Sequence, residues 1–190
     1  LENVFTSWDI ISGEIKLAEN ILIYDEAGDH TAMQSAEIAV EKGSRVEFMT
    51  PDRLISPEIM GMNLTPYLKN LQNKNITFSI AKRLIDVSIQ GNKLNAVIGS
   101  DYDEFYKYNS TYDQIIFNYG VKPLDELYFK LVPYSRNEGE INYDKFIKGE
   151  KQNIIKNKNN QFNLYRIGDA VSSRNIHAAI YDALRLVVNL

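Results

Sequence analysis

The chain has 190 residues, 44% hydrophobic and 24% charged, as in an ordinary globular protein with room for one domain and part of another. Its formal net charge of −4 gives no electrostatic basis for binding nucleic acid or an anionic membrane. The absence of cysteine excludes disulfides, thiolate catalysis and cysteine-ligated metal centres, and two histidines are too few for a histidine-rich metal site.

The first 20 residues are predicted to be an entry segment. They contain neither an initiator Met nor the basic and apolar regions of a signal peptide, and no apolar run in the chain approaches the roughly 20 residues that span a bilayer. We therefore expect a cytoplasmic protein without a membrane partner, cut from within a longer polypeptide. Trp8–Ile11 predicts a short helix capped by Ser7 and ended by Gly13, with Trp8 as a packing anchor.

A strand, a helix and a second strand are predicted between Asn20 and Pro51. Ile21–Tyr24 is continuously apolar, as in a strand buried on both faces. Apolar residues then recur at helical spacing, and Gly43 lies where a helix-ending glycine is expected. With Arg45–Thr50 as the parallel strand, the segment forms a right-handed βαβ unit.

The turn inside this unit departs from the dinucleotide-binding pattern G-x-G-x-x-G. The three glycine positions fall on Ala27, Asp29 and Ala32. Asp29 puts a carboxylate where a pyrophosphate would lie, and Asp25 and Glu26 add negative charge beside it. Asp29 is instead a candidate helix cap. The spacing favours a Rossmann shell kept for its structure over an intact dinucleotide site.

The second part of the pattern is also weak. A dinucleotide site expects an acid at the tip of the second strand, to bind a ribose hydroxyl. Thr50 occupies that tip, Asp52 lies two residues later, and Arg53 is interpreted as a solvated surface charge. Such sheets bind ligands at the carboxyl ends of their parallel strands, so Asp25–His30, Thr50 and Asn118–Gly120 are expected to line the crevice.

The pattern after Pro51 predicts a helix and five strands. The helix has Pro66 in its first turn and buries one apolar face. In the first strand of the following meander, alternation places Leu84 on the face opposite Val87. The predicted segments are the helix Asn63–Lys74, with Leu64, Tyr67, Leu68 and Leu71 on its face, and the strands Ile76–Ile80, Arg83–Gln90, Lys93–Ser100, Tyr102–Tyr108 and Tyr112–Asn118.

These elements predict an α/β fold, with a Rossmann-like domain that combines a central parallel sheet with a three-stranded antiparallel meander. Residues 121–163 are less regular, and the Lys- and Asn-rich run 150–163 is predicted to be an exposed loop. Leu164–Ile167 is predicted as a last strand, and a final helix starts at Ser172 or Ser173. The residues predicted to be buried by this helix are Ile176, Ala179, Ile180, Ala183, Leu184 and Val187.

A strand that ends in Gly-Asp and leads into a helix closes the flavin-binding domain of flavoproteins with two dinucleotide-type domains. The chain resembles the C-terminal part of the multidomain, Old Yellow Enzyme-like NADH:flavin oxidoreductases. This group contains trimethylamine dehydrogenase, histamine dehydrogenase, dienoyl-CoA reductase and N-methyl amino-acid demethylases. The resemblance rests on Trp8–Asp25, Gly28–His30, Val46–Arg53 and Leu164–Leu190, and the acidic turn favours the amine-demethylating branch.

The resemblance implies three segments. Residues 1–20 would enter from an outer flavin- or ADP-type domain, 21–120 would be an inserted NAD(P)-binding-like Rossmann domain, and 121–190 would close the outer domain. FMN, the iron–sulfur cluster and the chemistry would belong to an N-terminal barrel that is absent from this chain and would be its partner. FAD or ADP is expected at the outer domain, while the acidic turn disfavours NAD(H) at the insert.

The resemblance also implies site residues. Asp169 would reach a ribityl or ribose hydroxyl, and the helix turn after it would approach the phosphates. His177 matches the final helix of the family and is interpreted as a packing or capping residue. The candidate cofactor-binding residues are Asp25, Gly28, Asp29, Thr50, Gly168, Asp169 and Ala170.

The sequence is consistent with two functions. The chain is either an accessory nucleotide-binding-like fragment of a flavin-dependent oxidoreductase, not catalytic alone, or a vestigial scaffold. Such a scaffold would pack the catalytic barrel or dock an electron acceptor. No catalytic triad, carboxylate pair or metal cluster stands out in the sequence. The apolar faces of 164–167 and 175–190 are expected to lie against the inserted domain or against a second copy, which would make a homo-oligomer.

Overall fold

The computed structural model describes residues 1–188 and 190, which form two compact units, 1–120 and 121–190. The strands are β1 (Val4–Thr6), β2 (Asn20–Asp25), β3 (Arg45–Met49), β4 (Ile76–Ser79), β5 (Arg83–Gln90), β6 (Lys93–Gly99), β7 (Tyr108–Tyr112) and β8 (Gln114–Asn118). The helices are α1 (Ser7–Ile11), α2 (His30–Glu41), α3 (Gly61–Leu71), α4 (Glu126–Leu131), α5 (Tyr143–Lys148) and α6 (Ile176–Val187). The assignment of segments to an inserted and an outer domain stays a prediction.

The first unit is built on a five-stranded parallel sheet with the order β1-β8-β2-β3-β4. The central strand β2 is buried on both faces. Ile21 and Ile23 join the core under α1, α2 and α3, whereas Leu22 and Tyr24 join a second core. The predicted α/β fold class is confirmed, because β2, α2 and β3 form the expected unit and the sheet is parallel.

A three-stranded antiparallel sheet, in the order β5-β6-β7, packs on the second core. The predicted alternation in β5 is wrong at one point. The register shifts between Leu84 and Asp86, so that Ile85 is an extra residue and Leu84 faces the same core as Val87. Ile85 folds over Gly99, where any Cβ atom would lie 2.5 Å from its Cδ1.

The predicted third strand of the meander is present as β7, but its predicted position from Tyr102 to Tyr108 is wrong, because β7 begins only at Tyr108. The preceding residues form a loop in which side chains bond to nearby main-chain groups, as when Phe105 N–H donates to Asp103 Oδ1 at 3.0 Å. Such local bonds compete with strand pairing. Tyr112, predicted to open the last strand, ends β7 and pairs with Leu94 of β6.

The N-terminal segment differs from its prediction in three ways. Residues 4–6 form β1, which pairs with β8 and was not predicted. The cap of α1 is Thr6, which forms a reciprocal capping box with Asp9, because Ser7 is buried and lies inside the helix. Trp8 is 63% exposed and is not a packing anchor, whereas Ile10 of the same helix is buried.

Helix α3 is shifted from its predicted position. It starts two residues earlier and ends three residues earlier, so Pro66 lies in its interior rather than in its first turn. Proline removes one intrahelical hydrogen bond there. The predicted apolar face still holds the helix, because Leu71 is buried and Leu64 and Tyr67 pack against the core.

The second unit contains no strand among residues 121–188 and 190, so the predicted strand Leu164–Ile167 is wrong. The side-chain amide of the buried Asn137 makes the main-chain hydrogen bonds to Leu164 that a neighbouring strand would make. It accepts from Leu164 N–H and donates to Leu164 C=O, both at 2.8 Å. Helices α4 and α5 and two 3-10 turns, Val132–Tyr134 and Gly168–Ala170, were not predicted.

Helix α6 is capped by Asn175, whose Oδ1 accepts from Ala178 N–H at 2.9 Å, and not by Ser172 or Ser173. The face predicted to be buried is wrong, because four of its aliphatic residues are exposed and Leu186, on another side, is buried. The helix was predicted to continue to Leu190, whereas α6 ends at Val187. Asn189 lies outside the described residues. In the described chain, no helix is both long and apolar enough to cross a membrane.

Candidate functional site

The turn between β2 and α2 is closed by its own aspartate. Asp25 is the last residue of β2 and is 0% exposed. Its Oδ1 accepts from Gly28 N–H at 2.9 Å and from Ala27 N–H at 3.2 Å. These main-chain amides are of the kind that would face a diphosphate in a nucleotide-binding turn. A side-chain carboxylate therefore occupies the position of the anion.

Asn118 joins this turn to the neighbouring strand. It ends β8, directly opposite Asp25 in the parallel register. Its Nδ2 donates to Asp25 Oδ1 at 2.9 Å and to Asp29 Oδ1 at 3.0 Å. Its Oδ1 accepts from the hydroxyls of Ser7 at 2.7 Å and Thr31 at 2.8 Å. One amide thus connects α1, α2, β2 and β8.

Asp29 caps helix α2, as the sequence suggested. Its Oδ1 accepts from Thr31 N–H at 3.0 Å and also contacts the Thr31 hydroxyl. A carboxylate at this position satisfies a first-turn donor and is attracted by the positive end of the helix dipole. Asp29 therefore already occupies one first-turn donor and places a negative charge at the end of the helix that would attract an external anion.

Asp25 is held in an environment that disfavours its charged form. Burial raises the pKa of its carboxyl, and hydrogen bonds from Asn118 and Gly28 oppose this rise. The negative charge of Asp29 raises the pKa further. The Asp25 Oδ2 atom is buried and has no hydrogen-bond partner in residues 1–188 and 190.

A short segment covers the turn from outside. Glu58 N–H donates to Gly28 C=O at 3.0 Å, and a Cβ atom on Gly28 would lie 2.8 Å from Cδ of Pro57. Gly28 has φ +68°, a backbone conformation that favours glycine. The Pro57 ring is also too close for a side chain at this position. Because Ile59 is buried in the core, this segment is fixed in place.

Thr50 has a structural role at the end of β3. It is buried, its N–H donates to Ser79 C=O at 3.0 Å, and its C=O accepts from Lys82 N–H at 3.0 Å. Its hydroxyl accepts from Asp52 N–H at 3.2 Å. Its described partners are therefore separate from the Asp25 cluster.

Sequence reasoning missed a second polar group at this end of β2. The Tyr24 hydroxyl donates to Glu26 Oε1 at 2.7 Å, and Arg83 also donates to this oxygen at 2.9 Å while pairing with Asp101. Burial is the larger cause that raises the pKa of Tyr24, and the hydrogen bond to Glu26 raises the pKa further. Arg83 and Asp101 are distant from Tyr24 in the sequence, so no local pattern predicts this group. The order of the strands, by contrast, correctly placed Asn118 beside Asp25 at the end of the parallel sheet.

In the second unit, the 3-10 turn Gly168–Ala170 packs tightly on α6. Gly168 is buried with φ +56°, and a Cβ atom there would lie 3.1 Å from Cβ of Ala179. Its N–H donates to Asp182 Oδ2 at 3.1 Å. Asp169 is exposed, which leaves its carboxylate accessible to a ligand hydroxyl. The turn thus offers an acceptor, while the Gly168 amide is already occupied.

A cavity of about 550 Å³ lies beside this turn, within the second unit. Its walls are largely apolar and aromatic, and both guanidinium groups that line it stack on rings. Arg166 lies 5.0 Å from the ring centroid of Tyr128, and Arg185 lies 4.6 Å from that of Phe146. Across the described chain, no group of three His, Asp or Glu side chains is placed to hold a metal.

No protein-family model matches the chain. It is 52% identical over 189 residues to a probable N-methylproline demethylase from Rhizobium meliloti (strain 1021), covering 100% of this chain and 28% of that protein. It is 30% identical over 187 residues to an N,N-dimethylglycine/sarcosine dehydrogenase from Chromohalobacter salexigens, covering 96% of this chain and 27% of that protein. The chain is homologous to a part of the multidomain NADH:flavin oxidoreductases. It spans little more than a quarter of the length of these curated relatives.

Solved structures show the same fold. A 6-hydroxypseudooxynicotine amine oxidase from Pseudomonas geniculata N1 matches with a TM-score of 0.69 at 19% identity, over 100% of this chain and 24% of that one. An HOCl-induced flavoprotein disulfide reductase from Escherichia coli matches with a TM-score of 0.61 at 12% identity, over 97% of this chain and 38% of that one. The predicted resemblance in sequence and in fold is therefore confirmed.

Proposed function

We propose that this chain is an accessory part of a flavin-dependent oxidoreductase that acts on N-methylated amino acids. In this proposal the first unit contributes structure and does not bind a dinucleotide. The 52% identity to a probable N-methylproline demethylase supports the choice of substrate class. The flavin of such an enzyme supplies the redox chemistry, and the role of this chain is to support and orient.

The observation that carries the first half of the proposal is the Asp25 carboxylate on the amides of Ala27 and Gly28. A diphosphate would have to displace it and then lie beside the charge of Asp29. Two like charges 4 Å apart near a protein surface repel by about 4 kcal/mol, whereas a helix N-terminus attracts an anion by about 0.3–2 kcal/mol. This repulsion is larger than the attraction, and the Pro57 ring lies close to Gly28 of the same turn.

The second half of the proposal concerns Gly168–Ala170. We assign Asp169 as the acceptor for a ribose or ribityl hydroxyl of ADP or FAD, with Gly168 permitting the close approach of this turn to α6. The adjacent cavity gives room for part of a nucleotide, since ligand pockets commonly measure about 300–1,000 Å³. At the N-terminus of α6, Asn175 already caps the Ala178 N–H, so that amide is not free to bind the phosphates.

The test is calorimetric titration of the 190-residue chain with NADH, NADPH, ADP and FAD. We expect no heat of binding with NADH or NADPH. Binding of ADP or FAD should be lost in Asp169→Asn and kept in the matched exposed variant Asp144→Asn. Micromolar binding of NADH would overturn the first half of the proposal.

A purely structural scaffold is the second candidate, and the closed turn of the first unit favours it. If none of the four nucleotides binds, the assignment of Asp169 is wrong and the scaffold function is supported. Binding of ADP that is unchanged by Asp169→Asn would likewise remove this residue from the site while keeping a nucleotide in the second unit.

A further inference from the structure

Helix α6 leaves a row of aliphatic side chains in water. Four residues that are 60–77% exposed fall within an arc of about 80° on the helix surface. The residues that hold α6 in its own unit are centred about 120° away from this row. The exposed residues, which define the α6 stripe, are Ile176, Ile180, Leu184 and Val187, and the packing residues are Ala179, Asp182 and Leu186.

The segment that leads into α6 has an open edge. Both main-chain groups of Leu164 bond to the side chain of Asn137 at 2.8 Å. Tyr165, the next residue, makes no main-chain hydrogen bond within residues 1–188 and 190. Ile167 is extended, with φ −140° and ψ 165°, and leads directly into the Gly168 turn. Unpaired main-chain groups on an extended segment are a template for pairing with another strand.

The α6 stripe and the open edge at Tyr165 fit one kind of architecture. In α/β proteins an extended segment, a tight turn and a helix are the repeating unit, and each helix buries its apolar side on a face of the parallel sheet. The described residues 121–188 and 190 contain no strand, so the second unit lacks the layer that such a helix covers. The layer that α6 is suited to cover therefore has to come from elsewhere.

We propose that the α6 stripe and the open edge are the surface through which this chain docks on the remainder of its oxidoreductase. The occupant is an apolar face of a parallel sheet, which α6 covers while residues 164–167 pair with its edge as an added strand. This inference rests on the proposed function, in which the chain is an accessory part of a larger enzyme. It adds which surface makes the contact and what kind of element that surface meets.

The lengths of the relatives favour this occupant. The two curated relatives match this chain over 96–100% of its length, yet the chain covers only 27–28% of each. Most of each relative therefore lies outside the region that matches this chain and is available to cover the same surface. A second copy does not supply the layer from its second unit, because that unit contains no strand in its described residues.

The side chains of the α6 stripe also select the chemistry of the occupant. All four are aliphatic, and the charged residues Asp182 and Arg185 lie outside the arc that the stripe spans. A charged partner surface would lose water on this stripe without gaining a hydrogen bond or an ion pair, which is costly. An apolar sheet face meets no such cost.

The test places this chain in a full-length relative. In a chimera, the 190 residues replace the matching part of the probable N-methylproline demethylase from Rhizobium meliloti. Hydrogen exchange at the amides of 165–167 should be about 10-fold slower or more in the chimera than in the isolated chain, because these residues become a paired strand. Ile180→Glu should return the chimera to the rate of the isolated chain. In the isolated chain the same substitution should leave the rate unchanged.

The matched control is Tyr181→Glu, on the same helix and about as exposed as Ile180 but turned about 100° away, which should keep the protection. Equal exchange of 165–167 in the chimera and the isolated chain would overturn the proposal. So would a chimera that does not fold, as judged by far-UV circular dichroism, when the relative does. A dimer of the isolated chain that Ile180→Glu dissociates would assign the stripe to a second copy instead. Nucleotide binding is not measured in this experiment, so its failure is separate from failure of the titration.

Discussion

The two units of this chain are stabilised in different ways. Of the buried apolar side chains in the described residues, all except Leu186 belong to residues 1–120. The first unit is organised around β2, whose residues 21–25 are entirely buried. The second unit relies on polar side chains that bond to the main chain, such as Asn137 to Leu164 and Asp182 to Gly168. A hydrophobic core stabilises the first, whereas the second has little apolar area removed from water.

The same difference appears in how far the elements of each unit are covered. In the first unit, both faces of the parallel sheet are covered, as such sheets require. In the second, no strand of the described residues lies beside the segment 164–167, and one face of α6 is exposed. The two candidate sites differ in the same way. The Asp25 carboxyl is buried and hydrogen-bonded within its own turn and to Asn118, whereas Asp169 is exposed.

Hydrogen exchange should give the largest contrast between the units. Amides of β2 and β3 should exchange only on global unfolding, while those of residues 165–167 should exchange through local opening, about 100-fold faster or more. The measurement is native-state exchange followed by mass spectrometry or NMR. Equal protection of the two regions would show that the units unfold together.

Asn118→Ala should destabilise the first unit by about 3 kcal/mol, because it removes the hydrogen bonds that Asn118 makes to Asp25, Ser7 and Thr31 at a largely buried site. Urea denaturation measures the change. Asn109→Ala, on the exposed side of β7, is the control and should cost less than about 0.5 kcal/mol. A small effect at Asn118 would mean that water replaces its bonds.

Gly28→Ala should cost about 2–3 kcal/mol, combining a left-handed φ with a contact on the ring of Pro57. Gly43→Ala is the control, because Gly43 also has a positive φ (+92°) but a Cβ atom there would meet no neighbour. This variant should lower the free energy of unfolding by about 1–2 kcal/mol. The difference between the two variants measures how firmly the covering segment is held. Equal costs would mean that Pro57 moves aside freely.

Asp25 should make the stability of the first unit depend on pH between acidic and neutral values. Its folded pKa is raised above the ordinary aspartate value of about 3.9, so its contribution to stability is fully present below that value. The contribution is lost as pH rises through the raised folded pKa. In Asp25→Asn, stability should fall less than in the unchanged chain between acidic and neutral pH, measured by thermal melting. Parallel curves would show that Asp25 keeps an ordinary pKa.

The elements predicted well are those with strong local signals. The apolar run of β2, the helical spacing of α2 and the hairpin between β5 and β6 arise from residues a few positions apart. Asp29 as a cap and Gly43 after α2 are equally local, since each acts on main-chain groups of the adjoining turn. The elements missed depend on a distant partner. Residues 4–6 become β1 only because β8 lies beside them, and residues 164–167 are not a strand because none does.

The sequence by itself determined a βαβ unit with a carboxylate-rich turn, because chain periodicity and turn chemistry act over a few residues. It did not determine what those carboxylates contact. Asp25 and Asn118 are 93 residues apart and meet only when β2 and β8 pair in register. The same holds for Pro57 over Gly28 and for the exposed face of α6, since burial is a property of the packed chain. Tertiary structure therefore decided that the turn is closed, through contacts that no local pattern specifies.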